Sequence, residues 1–283
     1  MFAPVQRITK SLRPQTVVLG ATLVFAGVAS GAYSFRIYNR YIRKYQIYIR
    51  PEIGVSDSLT NSSIVRTLVN PHSHVAMGDS RSVVLTTPSG QEAPSDEAIL
   101  SALVNGFFSG PVFMPERIAL RLLGFQFVNF EGGFAKSNDI SYRAHHRIGL
   151  APTSQHIWNT SQMSNTHLPA KTAILWGCFQ VANIELSSST DGDSRSMIDI
   201  VFGNNRGQFA GCHRFSIKRL EGKSHSQREP TQFHIQLECI VCNPTINKPI
   251  GISFLGGFHN IYANMLFRDA VAEAKHRLSL SSA

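Results

Sequence analysis

A carboxylate and a phenol in the C-terminal part of the chain are the side chains best suited to chemistry. The stretch from about residue 255 reads as a long helix, in which Asp269 shares an apolar stripe with Phe258, Ile261, Tyr262, Met265 and Ala272. A carboxylate that loses water on such a stripe has a raised pKa, which suits a general acid or base. Tyr262 would be able to orient a carbonyl. The alternatives are an ion pair of Asp269 with Arg268 or Arg121, and a buried Tyr262 with a satisfied hydroxyl.

Histidine provides the third catalytic candidate. The sequence YRAHHR places His145 and His146 on opposite faces of a predicted strand, so only one of the two imidazoles faces a pocket. We assign His145 to acid–base work as a prediction, since a neutral imidazole suits that role; the alternative is that neither ring takes part. The chain has no G-x-S-x-G, no H-E-x-x-H and no Ser-His-Asp order. Hydrolase and metalloprotease chemistry is therefore not predicted.

The stretch DIVFGNNRGQFAGCHRFSI, residues 199–217, raises the question of a phosphate-binding loop, because it holds three glycines within nine residues. Such a loop needs a Lys followed by Ser or Thr, or a helix directly after the glycines. Here Cys212, His213 and Arg214 follow the last glycine, and apolar and polar residues then alternate as in a strand. We therefore predict a β-hairpin with its turn at 204–207, and no nucleotide cofactor.

The cysteines and paired histidines do not form a metal-binding pattern. Cys239 and Cys242 lie in a predicted strand, where residues three apart point to opposite sides. No second C-x-x-C completes a tetrahedral set. His72 and His74 form an isolated H-x-H in a predicted loop. The sequence predicts neither a metal site nor a cofactor.

Two helices, several strands and a long C-terminal helix are predicted from capping residues and periodicity. Ser95 caps a helix that runs to Gly110, and Pro115 begins a second helix that ends at Gly124. Strands are predicted over 82–87, 125–130, 140–148, 172–186, 196–203, 211–220 and 232–242. The polar faces of the last three strands carry Asp199, Arg214, Lys218, His234, Gln236 and Glu238. This predicts an α+β fold whose curved antiparallel sheet grips the C-terminal helix and is wet on its other face.

The N-terminal region carries the charge imbalance of the chain. Of the 27 basic residues, eight lie in residues 1–50, which hold no acidic residue, so residues 51–283 carry 19 basic against 18 acidic side chains. A nucleic-acid-binding domain would carry its basic patch on the folded body, so no nucleic acid partner is predicted. The basic residues flank 14–35, a stretch of 22 residues without a charge, which is long enough to cross a bilayer.

We predict a single transmembrane anchor in residues 1–50, a linker and irregular segment over 51–95, and an α+β ligand-pocket domain over 96–283. The alternatives for the first segment are a cleaved secretory signal and a mitochondrial leader. The predicted location is a membrane, with the endoplasmic reticulum first and the mitochondrial membrane or secretory pathway as alternatives. Basic residues flank both ends and leave the orientation open. The sequons at Asn61 and Asn159 matter only for a lumenal body.

A resemblance agrees with this fold. The runs FGNNRGQFAGCHRFSI and FHIQLECIVCNPT, followed by a helix ending in RDAVAEA, resemble over residues 170–280 a family of uncharacterised bacterial and plant proteins. That family is grouped with the START-like or helix-grip proteins, which hold lipids, sterols or polyketides and include cyclases. The chain has Asn243 before Pro244 where the family pattern has Ser. The resemblance implies a helix-grip fold, but it supplies no catalytic residues. Separately from the resemblance, we predict a fungal secondary-metabolism protein.

Two functions follow as hypotheses. The first is a membrane-anchored, cofactor-free cyclase or isomerase that folds a hydrophobic polyketide or terpenoid intermediate of secondary metabolite biosynthesis in a shaped apolar cavity. The second is a protein that binds or transfers a lipid-like metabolite at a membrane without chemistry. In both, the partners are the bilayer and a small hydrophobic molecule, and the oligomeric state is open. The predicted cavity lining is Trp176, Phe202, Phe215, Phe258, Ile261 and Met265.

Overall fold

The part of the chain that the structure describes contains nine strands and four α-helices. The computed structural model describes residues 47–130, 155–187, 195–220, 230–250 and 255–282, with Tyr33, Phe35 and Asn39, and only the backbone of 255–259. The strands are β1 (Arg50–Ile53), β2 (Ala76–Thr86), β3 (His156–Ile157), β4 (Ile174–Leu175), β5 (Phe179–Glu185), β6 (Arg195–Gly203), β7 (Ala210–Leu220), β8 (Gln232–Cys242) and β9 (Ser281–Ser282). The helices are α1 (Asp57–Thr60), α2 (Asp96–Ser109), α3 (Met114–Leu123) and α4 (Leu255–Leu278), with a π-helical turn at Val65–Val69.

These strands form one mixed, curved sheet in the order β1-β2-β8-β7-β6-β5-β4-β3, with β9 paired to β2. The fold is α+β with a long C-terminal helix, as predicted. The prediction of an antiparallel sheet is correct for the main strands, but β3 and β4 pair in parallel. Each of these two strands has two residues, too few for a periodicity to be visible in the sequence.

The hairpin predicted from the glycine-rich stretch is confirmed. β6 and β7 pair antiparallel from Arg195↔Lys218 to Gly203↔Ala210. Gly203 has a φ of +87°, a conformation that glycine adopts without strain. The turn is closed by the amide of Asn204, which donates to the Phe209 carbonyl at 2.9 Å. The glycines of this stretch shape a turn.

The segment predicted as a linker, 51–95, belongs to the folded body. It carries most of β1, all of α1 and all of β2, which lies between β1 and β8 in the sheet. The composition of β2 is misleading, because Ser80, Arg81 and Ser82 are polar and yet buried. The linker prediction is therefore wrong, although the strand predicted over 82–87 corresponds to the second half of β2.

Two further strand predictions are corrected. Residues 125–130 form no strand; Asn129 makes an isolated parallel bridge to Asn204. The predicted strand 172–186 is broken into β4 and β5 by a turn at Trp176 and Gly177. The predicted strand 140–148 lies outside the described residues.

Helix α2 begins as its capping residue predicts and is fixed to the sheet at its first turn. The Ser95 side chain accepts the Ala98 amide. Asp96 then accepts bonds from Ser196 Oγ at 2.6 Å and from Arg219 Nε at 2.9 Å. These two residues belong to β6 and β7, so the start of α2 is held over these strands.

Helix α2 is buried between the sheet and α4. Every residue from Ile99 to Phe108 is buried. On its outer side α2 meets α4 so closely that a Cβ on Gly106 would lie 2.7 Å from the Ala270 Cα. A glycine at this position allows the two helix backbones to approach each other. The layers in this region are therefore sheet, α2 and α4, and α4 also contacts β2.

The opposite face of the sheet is covered as well. Side chains of β6, β7 and β8 form a core there with α1, the π-helical turn and 128–130; its members include Leu59, Leu68, Val69, Val128, Phe130, Val201, Cys212 and Ile240. Asp199, Arg214, Gln236 and Glu238 are buried on this face. The prediction of a wet polar face is therefore wrong for these side chains.

The uncharged stretch 14–35 of the predicted membrane anchor lies outside the described residues, apart from Tyr33 and Phe35. The chain divides into a first unit, Met1–Lys44, and a second, Tyr45–Ala283, which is called the body below. Across the described ranges, no single helix is long and apolar enough to span a membrane. Helices α2 and α3 reach that length and composition only as a pair bent by 70°.

Candidate functional site

Aromatic side chains gather where the end of α2 lies over β5, β6 and β7. Each ring lies within 4.6–6.3 Å of another, measured between centroids. We call this group the aromatic cluster; it consists of Phe107, Phe108, Phe113, Trp176, Phe179, Phe202, Phe209, His213 and Phe215. Offset and edge-to-face packing of such rings is favourable beyond the area it buries.

Strand alternation and one glycine place the sheet members of the cluster. His213 and Phe215 are two apart on β7, so both point towards α2, where each contacts the Phe107 ring. Phe202 of β6 lies across Gly211, where a Cβ would overlap with its ring. The third glycine of the hairpin sequence, Gly211, thus makes room for an aromatic ring.

A strained turn holds Trp176 in the cluster. Trp176 and Gly177 have φ values of +47° and +67°, and the Cys178 amide donates to the Leu175 carbonyl at 3.1 Å. These features define a type I′ turn. A bulky residue in the left-handed region costs about 1–3 kcal/mol. The conformation persists because the indole is buried between the Phe108 and Phe113 rings, with centroids 6.0 and 5.9 Å away.

The cluster carries one imidazole and is open on one side. The His213 ring lies 4.6 Å from Phe202, 5.6 Å from Phe107 and 6.3 Å from Phe179. His213 and Phe179 are half-buried, and Phe209 is 42% exposed. An apolar or aromatic molecule would therefore find stacking surfaces beside one group able to donate or accept a hydrogen bond.

The structure brings together only part of the predicted cavity lining. Trp176, Phe202 and Phe215 belong to the aromatic cluster. Met265 is half-buried on α4, and the side chain of Phe258 lies outside the described residues. Ile261 is 64% exposed, so its assignment to a cavity lining is wrong. The helical periodicity predicted which residues share a side of α4, but it did not predict how much of that side is buried by the rest of the fold.

Asp269 joins α4 to the connection between α2 and α3. Its Oδ2 accepts the Val112 amide at 3.0 Å, and its side chain is 6% exposed. A Cβ on Gly110 would overlap with this carboxylate. Arg117, on α3, donates to the carbonyls of Phe108 at 3.0 Å and Gly110 at 2.6 Å. Asp269 thus occupies the space next to a glycine and fixes a loop.

Burial raises the pKa of Asp269 to about 7. The Val112 amide opposes this rise, the Glu273 carboxylate adds to it, and the Arg117 guanidinium opposes it. The carboxyl group therefore titrates near neutral pH. Its partners favour a structural role, because a backbone amide already occupies one of its oxygens.

We expect Asp269→Asn to change the pH dependence of stability. A carboxyl whose pKa is raised in the folded state stabilises the fold at low pH, and this contribution is lost as the pH rises from about 4 to about 7. The melting temperature of the wild type should therefore fall relative to Asp269→Asn across that window, while Asn still accepts the Val112 amide. Thermal melts from pH 4 to pH 8 measure the difference. A constant difference between the two proteins would contradict the raised pKa.

The predicted carboxylate, Asp269, lies apart from the cluster. Tyr262 is half-buried on α4, and His145 lies outside the described residues. Asp269 faces Gly110 on the α4 side of α2, whereas His213 contacts Phe107 on the sheet side. Helix α2 therefore separates the predicted carboxylate from the imidazole of the cluster.

The other face of the sheet carries a row of buried polar side chains. Its charged members were predicted from the sequence to face solvent. Asp199, Arg214, Glu238 and Ser80 lie in register on β6, β7, β8 and β2. Arg214 donates to both oxygens of Asp199, at 2.6 and 2.8 Å. Burial raises the pKa of Asp199, and the Arg214 guanidinium opposes that rise. The alternation of β7 was visible in the sequence, but the segments that cover this face were not.

The diverging thiols of the C-x-x-C are confirmed. Cys239 lies near Asp79 and Arg81 on β2, whereas Cys242 Sγ contacts the Val69 carbonyl at 3.2 Å on the opposite face. Among the residues that the structure describes, no group of three His, Cys, Asp or Glu side chains is placed to hold a metal ion.

Comparison of this chain with family models, curated proteins and solved structures gives no match. The class that the coordinates define is therefore an α+β body with a curved mixed sheet, a buried middle helix and an aromatic cluster at the end of that helix.

Proposed function

We propose that the body binds a small hydrophobic molecule, a lipid or an apolar metabolite, at the aromatic cluster, and that it does so at a membrane. The observation that carries the proposal is the half-buried imidazole of His213 among the rings of Phe107, Phe179 and Phe202. Ligand sites are apolar and aromatic, with a few polar groups that fix orientation.

Two properties of the cluster support a binding role over a purely structural one. Phe179, Phe209 and His213 retain solvent exposure, so the cluster continues to the surface. Trp176 is held in a left-handed conformation, and backbone strain of this kind concentrates at binding sites and active sites.

The helix-grip, START-like architecture implied by the sequence resemblance is part of the proposal. Its support is the arrangement of α4 beside a curved sheet whose central strands are antiparallel. In this chain α2 lies between α4 and strands β6 and β7. Two helices, α2 and α4, would therefore cover the sheet, and the ligand would enter at the end of α2.

The membrane setting rests on the uncharged residues 14–35 and on their basic flanks. We propose a single-pass anchor, with the endoplasmic reticulum as the first location and the mitochondrial membrane or secretory pathway as alternatives. A membrane would supply or receive an apolar ligand that is sparingly soluble in water.

A second candidate is a cofactor-free cyclase or isomerase acting on a polyketide or terpenoid in secondary metabolism. The observation that favours it is again His213, because an imidazole against aromatic rings is able to move a proton on a bound apolar substrate. The two candidates differ in the released molecule. A carrier returns its ligand unchanged, whereas an isomerase returns a compound of equal mass and different retention time.

We expect Phe179→Ala to weaken binding of a neutral apolar dye such as N-phenyl-1-naphthylamine by about tenfold, because one stacking surface of the cluster is lost. Fluorescence titration of the full chain measures this affinity. Leu186→Ala, an exposed apolar position directly after β5, is the matched control and should bind as the wild type does. Equal dye affinity in Phe179→Ala and the wild type would contradict the site.

A further inference from the structure

Helix α3 turns its apolar side to solvent. Met114, Ile118 and Leu122 are four residues apart and share one side of the helix. Ile118 is 53% and Leu122 is 82% exposed, and no residue of α3 is buried. A surface helix of a soluble domain normally directs this stripe to the core.

The polar side of α3 faces the body instead. The half-buried residues of the helix are Glu116, Arg117 and Leu120, so two of the three are charged. Arg117 reaches back to the carbonyls of Phe108 and Gly110 at the end of α2, where it holds α3 in place. The orientation of α3 is therefore fixed by hydrogen bonds, and it leaves the apolar stripe outside.

The exposed apolar surface continues beyond the helix. Leu123, Phe125 and Phe127 are exposed, and the two phenyl rings lie 6.4 Å apart. We call the surface formed by Met114, Ile118, Leu122, Leu123, Phe125 and Phe127 the apolar ledge. Contiguous exposed apolar surfaces of this kind mark sites of contact with proteins or membranes.

We propose that the apolar ledge docks into the interface of a lipid bilayer. A helix that lies in a membrane surface carries a broad apolar side with aromatic residues and adjacent cations. The ledge has this composition, because Arg121 is exposed next to Ile118 and Leu122. The single acidic residue of 114–127, Glu116, is half-buried and turned towards the body. The exposed charge of α3 is therefore positive and complementary to anionic headgroups.

The length of the chain before β1 favours a bilayer over another partner. Residues 36–44, nine in number, separate the uncharged stretch 14–35 from the body, which begins at Tyr45. Fully extended, nine residues reach about 30 Å, so an inserted anchor would keep the body that close to the bilayer. Such a tether makes docking of the ledge effectively intramolecular. This argument rests on the membrane anchor of the proposed function, but not on the ligand site.

The test places an environment-sensitive fluorescent amino acid at Leu122 of the full chain, reconstituted in phosphatidylcholine vesicles with a minority of phosphatidylserine. Ile261 is the matched control, an exposed isoleucine on α4 outside the ledge. Both positions are exposed, so both labelled proteins should fold. Lipids with a spin label on the acyl chain quench only those probes that enter the bilayer.

Docking predicts blue-shifted emission and strong quenching at position 122, with neither at position 261. A chain that floats with the vesicles but shows no quenching at 122 would overturn the docking proposal and leave the anchor intact. Absence of flotation would overturn both. Equal quenching at both positions would refute a specific ledge. Blue-shifted emission at 122 without lipid would indicate that a second copy covers the ledge, and it would also overturn the proposal.

Discussion

Replacing Asp199 with Asn is expected to destabilise the protein by about 3–5 kcal/mol, because it leaves the Arg214 guanidinium buried without its counter-charge. Both side chains lie in the buried row on the sheet face opposite α2. A neutral amide accepts at most part of the bidentate bond. Denaturant unfolding of the full chain measures the loss of unfolding free energy.

Two variants make this result specific. Glu97→Gln also changes an acid to its amide, but Glu97 pairs with the exposed His167 at 3.4 Å, so its loss should cost about 1 kcal/mol or less. The double variant Asp199→Leu with Arg214→Met removes both charges and should be more stable than Asp199→Asn alone. A loss in Asp199→Asn as small as that in Glu97→Gln would show that Arg214 reaches solvent.

The boundary of the body gives the second large effect. Deleting residues 1–44 should leave a cooperatively melting body, whereas deleting 1–50 should destabilise it. Ile47 and Ile49 are buried, and the Ile47 carbonyl accepts a bond from Arg268 at 2.7 Å. Burial of an isoleucine contributes roughly 1.5–3 kcal/mol, so the longer deletion loses about twice that amount.

Thermal melts of the two truncated proteins under one condition provide the comparison. The predicted domain boundary at residue 50 is thereby moved to residues 44 and 45. Equal melting temperatures would mean that residues 47–49, which lead into β1, contribute nothing to the stability of the body. Aggregation of both proteins would mean that the first unit is required for folding.

The elements predicted correctly are those with local signals. Ser95 marks the start of α2, and Gly124, with a φ of +65°, follows the end of α3. The period of two placed β6, β7 and β8 within one residue of their observed ends. Each of these signals depends on neighbours in sequence, so a single chain contains them.

The elements missed are those decided by distant contacts. Two buried polar residues of β2 have partners elsewhere in the fold: Ser82 donates to Glu52 on β1, and Arg81 donates to Asn260 on α4. The covering of the second sheet face depends on α1 and the π-helical turn, whose position no local pattern specifies. Composition alone therefore predicted a linker and a wet face.

The sequence predicted several aromatic residues of the candidate site, but it did not predict the imidazole that lies among them or the contacts of Asp269. Trp176, Phe202 and Phe215 were predicted as apolar lining, and they do belong to one cluster. The imidazole that accompanies them was missed, because the neighbours of His213 come from α2, β5 and β6. The stripe on α4 placed Asp269 among apolar residues, but its partner Val112 is 157 residues away in sequence.

The central claim is that the aromatic cluster binds a discrete apolar molecule. Mass spectrometry of the compounds that co-purify with the full chain, compared with Phe179→Ala and Leu186→Ala, tests it most directly. One hydrophobic compound should be enriched in the wild type and in Leu186→Ala, and depleted in Phe179→Ala. The same bulk lipids in equal amounts in all three samples would contradict it.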